Sequence, residues 1–258
     1  MGKFIVFEGV DKSGKSTQIL KVEEWLKEKG YNVIRLYEPG YTKLGNCLRE
    51  ILKDKNINCC PEAQKLLFMA VRAQLITEEL KPALIDNADP NTIVLCDRYA
   101  LSTLCYQIIP EQIKNAFEKS NPELSYLYSI KYSCYESYKR QLDTLCKDLG
   151  FTVEENHSCA VSRNPDLNLI FDIDFDTWQN RGIKMNEKPD RFESQTDYIK
   201  QVIQNYKFVC ECTFYKETNS GNLGHYETFG PCHMIDAKAP ESIVETEVKE
   251  TIEKYIFK

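Results

Sequence analysis

The sequence predicts an α/β protein with a five-stranded parallel sheet flanked by helices, and three observations carry that prediction. Short apolar runs alternate along the chain with longer segments of helical periodicity, which is the rhythm of βαβ units. Several of those runs are apolar throughout, as strands covered on both faces must be. The breaks between them are short and carry glycine or proline.

The first run, FIVFE (Phe4–Glu8), has the length of a buried strand. A helix from about Ser16 to Lys29 follows, with Ile19, Val22 and Leu26 on one face and Gly30 as its stop. NVIRLY (Asn32–Tyr37) is the second strand, ended by Pro39-Gly40. Leu44 to Leu52 and Pro61 to about Ile85 read as helices. TIVLCD (Thr92–Asp97), NLIFDI (Asn168–Ile173) and HMIDA (His233–Ala237) supply the remaining strands. The closing helix begins near Pro240 and places Val244, Val248, Ile252 and Ile256 at i, i+4 spacing. Two stretches break the rhythm. Residues 120–163 are rich in Tyr, Cys and Ser, and 207–231 is expected as a polar hairpin or loop turning at Asn-Ser-Gly-Asn. Neither has the composition of a linker, so one domain over 1–258 with two insertions is expected.

Composition narrows the function classes. The 258 residues carry 33 Lys+Arg against 39 Asp+Glu, a formal net charge of -6. Proteins that live on DNA or on anionic membranes usually carry the opposite sign. No apolar run approaches a bilayer-spanning length, and Met-Gly-Lys leads directly into the first strand, so neither a membrane segment nor a secretory leader is expected. Val6 stands where a myristoylation signal needs Ser or Thr. Eleven scattered cysteines, an odd number, suit free thiols in a reducing, cytoplasmic compartment. Cys210-x-Cys212 with His225, Cys232 and His233 could in principle hold zinc, but the Cys-x-Cys spacing is tighter than usual and no zinc is expected.

One segment carries specific chemistry. Gly9-Val10-Asp11-Lys12-Ser13-Gly14-Lys15-Ser16-Thr17 contains GxxxxGK[ST] in full, after an apolar strand and at the start of an amphipathic helix. Backbone N–H groups in such a loop wrap a phosphate, and the helix N-terminus adds partial positive charge. The motif implies a nucleoside triphosphate, with Lys15 on its β/γ-phosphates and the Ser16 hydroxyl on Mg²⁺. Asp97, ending another strand, is the expected second acid near that metal. A guanine-reading Asn-Lys-x-Asp is absent. Arg49, Phe68, Arg72, Arg98 and Tyr106 lie on elements that converge at the same sheet edge, where open α/β sheets bind ligands. Two anion sites suggest transfer from one nucleotide to another.

At these residues the sequence resembles the thymidylate kinase family, the bacterial-type enzymes most closely. The resemblance runs through FIVFEGVDKSGKSTQ, EPG (Glu38–Gly40), LGNCLREIL, LLFMAVRAQ, DRYALSTLCYQ (Asp97–Gln107), NPDLNLIFDI and NRG…DRFE (Asn180–Glu193), in the family's order. It implies a phosphate-loop kinase fold and transfer from ATP–Mg²⁺ to dTMP, by a protein that forms a homodimer and binds neither nucleic acid nor membrane. Carried over residue by residue, it implies that Asp11 sits beside the acceptor and helps organise Mg²⁺, while Arg49 and Arg98 hold the acceptor 5′-phosphate. Phe68 stacks on the thymine, Arg72 bonds its carbonyl edge, and Thr103 and Gln107 face the rest of the base. Tyr41 and Tyr106 close around the deoxyribose, with Glu38 nearby. Arg181 and Arg191 belong to a lid at about 181–191 that closes over the triphosphate, with Lys12 as an accessory cation. Lys12 departs from the pattern, since the family usually has Arg or Gly there. A kinase for another acceptor, or a non-catalytic nucleotide-binding module, are the alternatives.

Overall fold

The structure is a computed structural model, and it describes residues 2–86, 89–108, 164–185, 191–218 and 230–257. Five strands form one sheet: β1 (Lys3–Glu8), β2 (Asn32–Tyr37), β3 (Thr92–Asp97), β4 (Leu167–Asp172) and β5 (Cys232–Asp236). Their order is β2-β3-β1-β4-β5, and every pairing is parallel. The central strand β1 aligns Ile5 with Leu95 on one side and with Leu167 on the other.

Side chains of β1 alternate between two cores because successive residues of a strand point to opposite faces. Ile5 and Phe7 enter one cluster with Ile19, Val22 and Leu26 of α1 (Lys15–Glu28) and Val248 and Ile252 of the closing helix, Glu241–Ile256. Phe4 and Val6 enter the other, with Leu75, Leu80 and Leu84. Both faces are therefore covered, which is why the strand carries no polar residue between Lys3 at its start and Glu8 at its end.

The helices follow the expected spacing with small shifts. After α1 come α2 (Lys43–Lys53), whose N-cap Thr42 accepts from Gly45 N–H at 3.0 Å, and α3 (Pro61–Leu75), with proline in its first turn where no N–H is missed. Helical chain continues past Leu75 as two π-turns, Ile76–Leu80 and Pro82–Asp86, so Pro82 opens a turn and does not break an α-helix. Helix α4 (Ala100–Thr103) likewise runs into a π-turn, Leu104–Ile108. Helices α5 (Phe175–Met185), α6 (Thr196–Thr218) and α7 (Glu241–Ile256) complete the layers.

Residues 207–218 are helical, the second half of α6, where a polar hairpin or loop was expected. Apolar residues that line up only once the helix from Thr196 is continued, Ile199, Val202, Ile203, Tyr206 and Val209, dock it on the main core. Residues 120–163 and 219–229, which hold the first insertion and the rest of the second, lie outside the described residues.

Candidate active site

The phosphate loop joins β1 to α1 at the C-terminal edge of the sheet. Gly9 has φ 134°, and a Cβ there would stand 2.7 Å from the carbonyl oxygen of Phe171, so only glycine lets the loop leave β1 beside β4. Gly14, with φ 96°, is the N-cap of α1. Lys15 is buried, and its Nζ donates to the carbonyls of Gly9 (3.0 Å) and Val10 (2.7 Å). Burial lowers its pKa to about 8, helped by the nearby Arg98 cation and opposed by Asp97, Asp11 and Glu8.

The Ser16 hydroxyl donates to Asp97 Oδ2 at 3.3 Å, so the loop hydroxyl meets the acid at the end of β3. Asp97 Oδ1 is buried without a hydrogen-bond partner. A carboxylate oxygen left open beside a hydroxyl suits a hard cation that prefers oxygen ligands. Among the described residues there is no larger cluster of acids, cysteines or histidines able to hold a metal. The Ser16 hydroxyl and the Asp97 carboxylate would suit Mg²⁺, which usually takes one or two protein ligands and leaves the rest to phosphates and water.

Two cavities adjoin at this point. One is lined by Lys12 to Gln18, Arg181 and residues of the β5–α7 turn, among them Ala237. The other is lined by Glu38, Arg49, Phe68, Arg72, Thr103, Tyr106 and Gln107, together with Tyr37, Lys53 and Phe192. Asp11, Ser16 and Asp97 line both.

In the second cavity Arg98 adopts a left-handed backbone, φ 69°. Its Nη2 donates to Asp11 Oδ1 at 2.7 Å, and its guanidinium lies 5.2 Å from the Tyr106 ring centre. Lost hydration among the cleft walls raises the Asp11 pKa, but Arg98 and Lys15 outweigh this and hold the carboxyl well below the usual range. Burial pushes the Tyr106 phenol far up, so it stays neutral. Arg72 is buried with Glu38: its Nε and Nη2 donate to Glu38 Oε2 at 3.1 and 2.7 Å. The same Nη2 reaches Tyr99 O and Thr103 Oγ1, both at 2.9 Å. Arg49 donates to the carbonyl of Pro39, which follows a cis Glu38–Pro39 peptide. Gly40 (φ 138°) completes that turn, where a Cβ would overlap the Tyr37 ring.

Two expected site residues, Tyr41 and Arg191, line neither cavity, and a third, Lys12, lines the first with its amine already paired. Tyr41 is not among the residues lining either cavity; it packs edge-on against Tyr37, with centroids 5.8 Å apart, and Tyr37 lines the wall in its place. Arg191 donates to the carbonyls of Asp54 and Ile57, after α2, so it braces the wall beside Lys53. Lys12 bonds Glu193 Oε1 at 2.6 Å, the two side chains being 6 % and 9 % exposed, and its amine lies 4.8 Å from the centre of a Trp178 ring. Arg181 does face the phosphate loop, donating to Lys12 O at 3.0 Å and Ala237 O at 2.6 Å. Sequence reasoning missed Glu8, Glu193, Ser102 and Tyr206; only Glu8, an acid closing an apolar run, left a signal. For the zinc expectation, the Cys212 side chain and His225 lie outside the described residues.

A family sequence model described as thymidylate kinase matches residues 7–133. A thymidylate kinase of Thermoanaerobacter sp. (strain X514) is 47% identical over 106 residues, 41% of this chain, and the chain spans about half the length of that relative (50%). The match to a thymidylate kinase of Geotalea daltonii is 31% identical and covers 80% of this chain and 81% of that one. With a thymidylate kinase of Pelotomaculum thermopropionicum it is 30% identical over 99% of this chain and 94% of the other. The solved structure of thymidylate kinase from Ehrlichia chaffeensis superposes with a TM-score of 0.59 at 24% identity, covering 97% of this chain and 98% of that one, a likeness of fold. By its near full-length relatives the chain belongs to the thymidylate kinase family.

Proposed function

We propose that the protein transfers the γ-phosphoryl group of ATP to dTMP, giving ADP and dTDP. The observation that carries this is the meeting of two cavities at Asp11, Ser16 and Asp97. The donor triphosphate lies along Gly9–Thr17, and the acceptor lies among Arg49, Phe68, Arg72, Arg98, Thr103, Tyr106 and Gln107. The phosphoryl group passes between them at the shared residues.

The acceptor oxygen belongs to a phosphate that is already anionic, so no strong base is needed. Catalysis is alignment plus neutralisation of charge on the moving group. Lys15 turns from its own loop carbonyls to the triphosphate, while Arg98, anchored on Asp11, holds the acceptor phosphate in line. Ser16 and Asp97 would hold Mg²⁺, which when bound offsets charge on the β- and γ-oxygens. Arg181, already against the loop tip, supplies a guanidinium fork from the lid side. Phe68 gives the base a flat apolar face, and Arg72, immobilised by Glu38, gives it a fixed donor.

Part of the proposal is a homodimer in the cytoplasm. Exposed Leu44 and Ile51 on α2 and Leu66 on α3 supply apolar surface for a second copy. No helix among the described residues is long and apolar enough to cross a membrane. An ADP-release assay across a panel of nucleoside monophosphates tests the function. Turnover highest with dTMP supports it; a different preferred acceptor, or no acceptor-dependent ADP release, overturns it.

A further inference from the structure

Behind the acceptor cavity lies a polar network that the proposed reaction does not use. Glu8, at the end of β1, is fully buried. Its Oε1 accepts from the backbone N–H groups of Tyr99 (2.8 Å) and Ser102 (3.2 Å), at the start of α4. Its Oε2 accepts from the hydroxyls of Ser102 (2.6 Å) and Tyr206 (2.9 Å). The same two oxygens stand 3.1 and 3.5 Å from Arg98 Nη1.

A hydroxyl has one hydrogen and two lone pairs. Glu8 Oε2 accepts from both hydroxyls, whose oxygens also lie within hydrogen-bond reach of each other at 2.9 Å, and each hydroxyl oxygen keeps a lone pair for the guanidinium. The first carboxylate oxygen meanwhile pins the turn in which Arg98 holds its left-handed φ. We infer that Glu8 and Tyr206 are positioning residues: through the two hydroxyls they set the rotamer of Arg98 and keep its Nη2 edge on Asp11. Tyr206 sits on α6, the helix that follows the turn at Arg191 to Ser194, so the same hydroxyl ties the lid side of the chain to the acceptor arginine. The inference rests on the proposed function only for the identity of the anion that Arg98 meets.

Tyr206→Phe removes one oxygen and keeps a ring that is 3 % exposed. A hydrogen bond to a charged group contributes about 1.5–3 kcal/mol, which corresponds to roughly ten- to hundredfold in affinity. The expected result is a KM for dTMP raised about tenfold, a KM for ATP within about twofold and a melting temperature lowered by several degrees, since Glu8 also loses a donor. In an Arg98→Ala background the same substitution should do nothing further, since its only route is through Arg98. Glu8→Gln, whose amide cannot take both hydrogens, should lower kcat/KM for dTMP more than Tyr206→Phe does. Should Glu8→Gln fail to fold, Tyr206→Phe alone decides. A dTMP KM within twofold of wild type, an equal rise in the ATP KM, or an effect that persists without Arg98 would each overturn the inference. If the wild-type protein does not phosphorylate dTMP, the proposed function fails and a crystal structure of Tyr206→Phe takes over the test. An Arg98 guanidinium displaced from Asp11 then supports the inference, and one left in place refutes it.

Discussion

Replacing Arg72 by Leu isolates the buried ion pair beneath the acceptor cavity. The two side chains are 7 % and 4 % exposed, and the Nε and Nη2 hydrogen bonds both fall on one oxygen, Glu38 Oε2. The other oxygen, Oε1, is buried without a hydrogen-bond partner. Leucine therefore strands a carboxylate that water cannot reach, and Tyr99 O and Thr103 Oγ1 each lose a donor. Removing one partner of a buried pair costs about 3–5 kcal/mol, mostly for the charge left behind. Burial raises the pKa of Glu38, Arg72 opposes the rise and Glu8 adds to it. Without Arg72 the folded-state pKa rises further above the unfolded value. The folded variant then binds more protons than the unfolded chain, so its stability falls as pH rises through that window. The deficit relative to wild type is thus greatest at neutral pH and shrinks on acidification toward the unfolded carboxyl value.

Urea unfolding followed by the fluorescence of Trp25 and Trp178 measures this at neutral pH and at about pH 5. The double variant Arg72→Leu, Glu38→Gln should recover much of the loss, because no charge remains buried. A deficit under about 1 kcal/mol at neutral pH, a deficit that widens in acid, or a double variant no better than the single would refute the reasoning.

Three further outcomes are expected. Because a triphosphate favours the charged amine of Lys15 and that amine loses its proton at about 8, affinity for the Mg²⁺ complex of a non-hydrolysable ATP analogue should weaken above that pH, approaching tenfold per unit; calorimetry showing constant affinity up to about pH 9 contradicts this. Arg181→Ala should lower kcat by more than about tenfold, Lys12→Ala should cost less since Glu193 already holds that amine, and Arg191→Ala should act mainly on the KM for dTMP through the braced segment after α2; steady-state kinetics in which Lys12→Ala is the most damaging would reverse this assignment. Losing the thymine methyl should cost about 1–3 kcal/mol, leaving dUMP a weaker but real substrate, whereas dCMP presents a donor to Arg72 and should be far poorer; equal kcat/KM for dTMP and dCMP rules the base contacts out.

The elements that position the site were legible because each is dictated locally. A short apolar run bounded by turn residues suits a covered strand, whereas the apolar run Leu66–Val71 sits inside a longer helical pattern and is part of α3, and the strict spacing of a phosphate loop leaves little freedom in where Lys15 and Ser16 fall. Asp97 was legible for the same reason, as an acid closing such a run. What could not be read were pairings between distant parts of the chain. Lys12 and Glu193 lie 181 positions apart, and Glu8 and Tyr206 lie 198 apart. No periodicity connects such residues; the packing of α6 and the turn before it against β4, β5 and the turn Leu104–Ile108 brings them together. The helix over 207–218 was missed on different grounds. Its cysteine- and threonine-bearing sequence has weak helix propensity, which docking of the Thr196–Val209 half overrides.

The chain is acidic overall, yet the proposed reaction brings two polyanions into its cleft, and the pairings there show how both can hold. Charges on opposite faces of the molecule are screened over about 8–10 Å of salt water, so the net of -6 says little about the field inside a cleft. Inside it, three cations are matched to acids: Arg98 to Asp11, Arg72 to Glu38 and Lys12 to Glu193. The matches differ in how easily a phosphate could displace the acid. Glu38 and Glu193 are nearly sealed from water, so releasing either partner would strand a buried charge. Asp11 is 50 % exposed, so Arg98 can turn an edge to an incoming phosphate while Asp11 falls back on solvent. Lys15 and Arg181 rest on neutral carbonyls, which a phosphate oxygen outbids because charge-assisted bonds are about twice as strong. The cations that can exchange are therefore the ones facing the junction of the two cavities. Those that cannot, Arg72 and Lys12, serve as fixed walls.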